Sequence, residues 1–108
     1  MINARFEFVQ MFKDKRVVCA QIETDSLDKD GGPIYYLKAP HTPEEYKQFL
    51  EQLDFEYDNG YGMQFLHGTV WFLDGTWATR GEYDGSEWWE IHSRPEIPDY
   101  LINKDEIR

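Results

Sequence analysis

The chain holds one cysteine, Cys19, so no disulfide can form within it and a reducing, cytoplasmic setting is expected. No apolar run approaches the roughly 18–20 residues that a membrane-spanning helix needs. The opening MINARFEF lacks the basic-then-apolar order of an export signal, so a soluble protein without a membrane partner is expected. Positive charge is scarce: 11 Lys and Arg stand against 21 Asp and Glu, a formal net charge of −10. A surface of that sign is repelled by phosphates, which argues against direct nucleic-acid binding. Phosphate loops, Gly-x-Ser-x-Gly, His-Glu-x-x-His and paired Cys-x-x-Cys are all missing, so nothing in the sequence supports an enzyme, and no cofactor or resident metal is expected. Repeats, low-complexity stretches and domain linkers are missing too, and 108 residues make one domain with a real core.

What the chain has in quantity is aromatic residues, 17 % of the total, and all four tryptophans fall in one stretch. Residues 64–93, QFLHGTVWFLDGTWATRGEYDGSEWWEIHS, are three apolar-aromatic runs separated by Asp74-Gly75 and Asp84-Gly85. Asp-Gly between alternating apolar residues signals a tight hairpin, because both types tolerate the positive φ of a type I′ turn. A three-stranded antiparallel meander is predicted. With a two-residue loop at each turn, Leu73 faces Thr76 and Tyr83 faces Ser86. One face then carries Leu66, Gly68, Val70, Phe72, Trp77, Thr79, Gly81, Tyr83, Trp88, Glu90 and His92, the other His67, Thr69, Trp71, Leu73, Ala78, Arg80, Glu82, Glu87, Trp89 and Ile91. The first is the better core, with Trp88 buried over Gly68 and Gly81. The second leaves Trp71, Leu73, Trp89 and Ile91 in want of cover and sets Arg80 against Trp89 for a cation–π contact.

Upstream, residues 5–12 alternate and read as a strand returning through residues 16–23 in an N-terminal hairpin. Residues 24–33 read as a polar loop, and 34–38 as a short strand. Thr42-Pro43-Glu44-Glu45 is a helix start, with Thr42 as N-cap and Glu45 closing a capping box. Tyr46, Phe49, Leu50 and Leu53 share one face of a helix over about 43–53. After the meander, Pro95 and Pro98 exclude an interior strand, a short helix from Pro98 is one option, and residues 103–108 are expected to fray. The fold class is therefore α+β: an antiparallel sheet with a C-terminal meander at about 64–93, an N-terminal hairpin, and one helix packed on a face.

The candidate chemistry is thin. The acidic loop from Asp25 fails the calcium-hand pattern, since its sixth position is Asp30 and its twelfth Tyr36 where Gly and Glu are needed. The predicted register sets His67, Glu82 and Glu87 in one row. Such a trio can hold a metal or move a proton, yet paired charges on a sheet also simply support neighbouring strands, and the structural reading is preferred. Cys19, among Val17, Val18 and Ala20, reads as a buried structural thiol. The acidic residues cluster at 23–30, 44–58 and 82–90, and a groove built for nucleic acid would attract them.

The run from Gly68 to Leu101 resembles the C-terminal part of small acidic proteins of tailed bacteriophages. The residues that carry the likeness are Asp74-Gly75-Thr76-Trp77, the run YDGSEWWE from Tyr83 to Glu90, and Pro95-Glu96-Ile97-Pro98. The resemblance implies a phage accessory protein of the kind that blocks host enzymes or host defence, including anti-CRISPR and anti-restriction inhibitors. Partner-binding candidates are the acids Asp54, Glu56, Asp58, Glu82, Asp84 and Glu87 with the anchors Trp71 and Trp89, facing a basic nucleic-acid-handling or defence protein of the host. Two alternatives stand beside it: a binder of a small molecule such as a signalling nucleotide, with Lys38, Arg80 and Arg94 as candidate cations, and a homodimer pairing through the second meander face.

Overall fold

The computed structural model describes residues 1–25, 32–60 and 63–101. The elements in chain order are β1 (Ile2–Asn3), α1 (Ala4–Met11), β2 (Val17–Thr24), β3 (Ile34–Leu37), α2 (Pro43–Gln52), β4 (Glu56–Tyr57), β5 (Leu66–Phe72), β6 (Trp77–Tyr83), β7 (Ser86–His92) and a 3₁₀ turn at Asp99–Leu101. Five strands form one antiparallel sheet in the order β3-β2-β5-β6-β7, and β1 pairs with β4 apart from it. The α+β architecture, the meander and the helix after residue 42 are as the sequence predicts. The acidic loop weighed for calcium has its centre at 26–31, and the fraying terminus lies at 103–108, both outside the described residues.

The N-terminal hairpin exists, but it is built from β2 and β3, and residues 5–12 are not its first strand. They belong to α1. Asn3 is the N-cap, its Oδ1 accepting the Phe6 N–H at 2.9 Å. Arg, Glu, Gln and Met in this stretch are all sound helix formers. The apparent alternation of phenylalanines conceals Ala4, Phe8 and Phe12 at intervals of four, and these three are buried while Phe6, Val9 and Met11 are exposed. Phe8 meets the Phe49 and Trp89 rings edge-on, and Phe12 packs on Phe72 and Trp89. α2 carries the expected capping box, with Thr42 Oγ1 and the Glu45 N–H at 3.1 Å and Glu45 Oε1 and the Thr42 N–H at 3.1 Å, and turns Phe49 into the same core.

The second correction is one of register. At Asp84-Gly85 the two central residues have φ of 50° and 87°, a two-residue turn that pairs Tyr83 with Ser86 as predicted. At Asp74-Gly75 only Gly75 is left-handed, at 88°. The Gly75 N–H reaches the Phe72 carbonyl, and the Phe72 N–H the Thr76 carbonyl. The loop therefore holds Leu73, Asp74 and Gly75, and Val70 pairs with Ala78 where the two-residue loop would set Trp71 against it. Asp74 holds this longer turn, accepting from the Thr76 N–H at 2.9 Å and from Lys15 Nζ at 2.7 Å.

One residue of slip moves β5 to the other face relative to β6 and β7. The buried face joins Leu66, Val70 and Phe72 to Ala78 and Trp89, with Ala20, Ile22 and Leu37 from the hairpin, and both helices cover it. Trp88, expected in the core, is 38 % exposed, while Trp89 is 4 % exposed beneath α1. Gly68 is needed for a different reason from the predicted one: a Cβ there would stand 2.3 Å from the Gln21 carbonyl oxygen of β2. Trp71, Leu73, Trp89 and Ile91 do not share a face, so the expectation that they need a common cover, and pair with a second copy through it, loses its basis.

Candidate interaction surface

Beneath the sheet, the slip collects charge in the core. Arg80 on β6 and Glu87 on β7 both point at the helices, with side chains 1 % and 0 % exposed. Arg80 donates from Nη2 to Glu87 Oε1 at 2.8 Å and to the Tyr57 hydroxyl at 2.9 Å, and from Nη1 to Glu7 Oε1 at 3.2 Å. Tyr57 in turn donates to Glu7 through a short bond. Glu87 also accepts the N–H groups of Phe65 and Leu66 at 2.6 and 2.9 Å. The guanidinium carbon lies 4.9 Å from the Trp89 ring centre and 5.9 Å from that of Tyr57. Burial, followed by the bond to Glu7, pushes the Tyr57 phenol well above its ordinary value. This cluster ties α1, β4, β6, β7 and the start of β5 together, and both terminal nitrogens of the guanidinium are engaged within it, while Arg80 Nε and Trp89 Nε1 have no hydrogen-bond partner among the described residues. It is a structural keystone.

The predicted trio of His67, Glu82 and Glu87 does not form. His67 is on the opposite face, with Nε2 3.2 Å from Asp25 Oδ2. Glu82 pairs with Glu87 across the strands but stays exposed near the turn, where it accepts the Gly85 N–H. Among the described residues no group of three potential metal ligands occurs. Cys19 is half-buried, not fully buried, because a register shift between Val17 and Cys19 sets it opposite Trp71.

Among the described residues no helix lies over the outer face of the five-stranded sheet. One row crosses all five strands as Tyr36, Gln21, Thr69, Thr79 and Glu90, and the next runs Cys19, Trp71, Trp77 and His92. Trp71 is 45 % exposed and Tyr36 55 %, with Ile34 also open to solvent. The polar groups between them are oriented. Trp88 Nε1 donates to Glu90 Oε1 at 3.0 Å, both lying over Gly81, where a Cβ would collide with them. His92 shares a 2.7 Å hydrogen bond with the Thr79 hydroxyl and leans on the Trp77 ring, and Gln21 donates to Glu23 at 2.9 Å. Glu23 and Glu90 are the charged residues of these strand positions, and no Lys or Arg points to this side from the described strands.

The acidic candidates divide. Glu87 and Trp89 are core residues and cannot meet a partner. Asp54 accepts from Asn3 Nδ2 at 2.9 Å, and Glu56 sits on β4, both exposed. The Asn59 carbonyl accepts the Glu87 N–H at 2.8 Å, which lays Asp58 beside the Glu82–Asp84 turn. Two acidic groups distant in sequence thus meet at one end of the sheet, next to Tyr83, itself 77 % exposed. Comparison of the chain with family models, with curated proteins and with solved structures finds no match. That Trp77 and Trp88 share the outer face with Trp71 and Tyr36 is concealed in the sequence by the slipped register. The signal able to reveal it was Thr76, whose position after Asp-Gly lets Asp74 take up its N–H in the longer turn.

Proposed function

We propose that this is a binding protein of the phage inhibitor type, which covers a basic, nucleic-acid-handling or defence protein of the host with the uncovered face of its sheet. The observation that carries the reading is that face: rich in tryptophan and tyrosine, holding carboxylates and no Lys or Arg among its described strand positions. Large rings supply anchor area at low conformational cost, and complementary charge steers a basic partner and excludes nucleic acid itself. Asp58, Glu82 and Asp84 extend the same charge round the end of the sheet. The function needs no catalytic group, and the buried Arg80 cluster serves it by holding the sheet rigid.

The test compares the native chain with the triple variant Trp71→Ala, Trp88→Ala, Glu90→Lys as bait in nuclease-treated bacterial lysate, and then measures nucleic-acid binding by whatever protein is captured. The reading requires a captured protein that leaves at high salt, loses its nucleic-acid affinity when the native chain is added, and ignores the variant. Equal capture by both baits, or a captured protein whose nucleic-acid binding is unaffected, overturns it.

A further inference from the structure

At the other end of β6 from the acidic turn lies a cleft of about 770 Å³, between the start of β2, the loop before α2 and the β5–β6 turn. Its walls are apolar: Val17, Val18, Pro40, Pro43 and Leu73. The polar groups lining it are Lys15, Arg16, His41 and Tyr46, all of them able to donate, and none of its lining residues is acidic in a chain with 21 Asp and Glu. Lys15 is partly engaged with Asp74 and Thr76. Arg16 is exposed and has no ion pair among the described residues, its carbonyl instead accepting the Leu73 N–H. His41 donates from Nδ1 to the Lys38 carbonyl at 2.9 Å and stacks on the Tyr46 ring, with centres 5.8 Å apart. The Tyr46 hydroxyl has no hydrogen-bond partner among the described residues, and burial raises its pKa, so it remains a donor.

From this arrangement we infer that the cleft is a binding site for a small organic anion, an apolar body of ring size carrying one carboxylate or phosphate, with Arg16 and Tyr46 gripping the charged group. Volumes of roughly 300–1,000 Å³, apolar walls and a few convergent polar groups are what such sites require. Of the cations that the sequence offers for an anionic ligand, Arg80 is consumed in the core, and Lys38 and Arg94 do not line the cleft. The site is separate from the sheet face and stands or falls independently of the partner proposed for it.

The test titrates the full chain with 2-naphthoate, 1-naphthyl phosphate and uncharged 2-naphthalenemethanol, followed by backbone amide shifts. Saturable shifts confined to residues 15–18, 39–46 and 73 with an anion, and weaker ones with the alcohol, are expected. The tighter of the two anions then tells carboxylate from phosphate. Arg16→Glu weakens anion binding about tenfold or more, and Tyr46→Phe, which removes only the hydroxyl, weakens it by a smaller factor. Shifts scattered over the sheet, equal binding of the alcohol, or undiminished anion binding by Arg16→Glu overturns the inference.

Discussion

Trp88 and Trp89 are neighbours in the chain and lie on opposite faces of the sheet, and the two faces obey different rules. Under the helices Trp89 is enclosed by Phe8, Phe12 and Arg80 and held by packing, its Nε1 having no hydrogen-bond partner among the described residues. On the outer face Trp88 has one hydrogen bond, to Glu90, and a glycine beneath it. The lesson is that aromatic abundance in this chain serves two purposes, stability on one side and a presented surface on the other, and that face decides which applies.

A wide separation between the faces is expected from the two tryptophans themselves. Trp89→Ala should cost about 3–5 kcal/mol of stability, the loss of a buried ring and the cavity it leaves, whereas Trp88→Ala, at a ring already open to solvent on one side, should cost about 1 kcal/mol. Urea denaturation measures both, and a costlier Trp88 would reverse the assignment of faces. Charge gives a contrast of nearly the same size. Glu87→Ala strands Arg80 in the core and should cost about 3–5 kcal/mol, while Glu82→Ala, its cross-strand neighbour in the open, should change stability by under about 0.5 kcal/mol. Equal costs in thermal melts would mean that the buried network is not the tie between α1 and the sheet.

Gly68→Ala pushes a methyl against the β2 backbone and should cost about 1–3 kcal/mol, while Gly60→Ala, with nothing within 4 Å, should be close to neutral. If Gly68→Ala is neutral by chemical denaturation, the close pairing of β2 and β5 is wrong. The smallest effect belongs to Asp74, an exposed carboxylate whose bonds to Lys15 and Thr76 hold its pKa well below the ordinary 3.8. A depressed folded value means stability that is present in full above the unfolded pKa and lost as pH falls from there toward the folded one. Asp74→Asn should therefore flatten the acid limb of a stability-against-pH curve below about pH 4 and lower stability slightly at neutral pH. A limb as steep as that of the native chain would show that the turn does not depend on this carboxylate.

Much of the fold was legible in the chain. Thr42-Pro43-Glu44-Glu45 starts the helix that the sequence predicts, since a capping box and an N-terminal proline act locally. Asp84-Gly85 gave its type I′ turn for the same reason. The site was less legible. Of the candidate partner-binding residues, Asp54, Glu56, Asp58, Trp71, Glu82 and Asp84 are exposed, while Glu87 and Trp89 are core, because a face assignment for β6 and β7 depended on a loop length one residue away from the expected one.

The amino-acid sequence by itself determined the α+β class, the helix at Pro43–Gln52, the three strands of the meander and the acidic excess, all of which follow from local propensity, spacing and composition. Tertiary structure decided the rest. The stretch from Ala4 to Met11 can alternate or coil, and it coils because Ala4 and Phe8 then reach the core together, with Phe12 following at the same spacing. Asp74-Gly75 can close a loop of two residues or three, and the longer one places Val70, Ala78 and Trp89 on the side that the helices cover. Burial is a property of the whole chain, and only when both helices and all five strands are in place does it choose which tryptophan is core and which is surface.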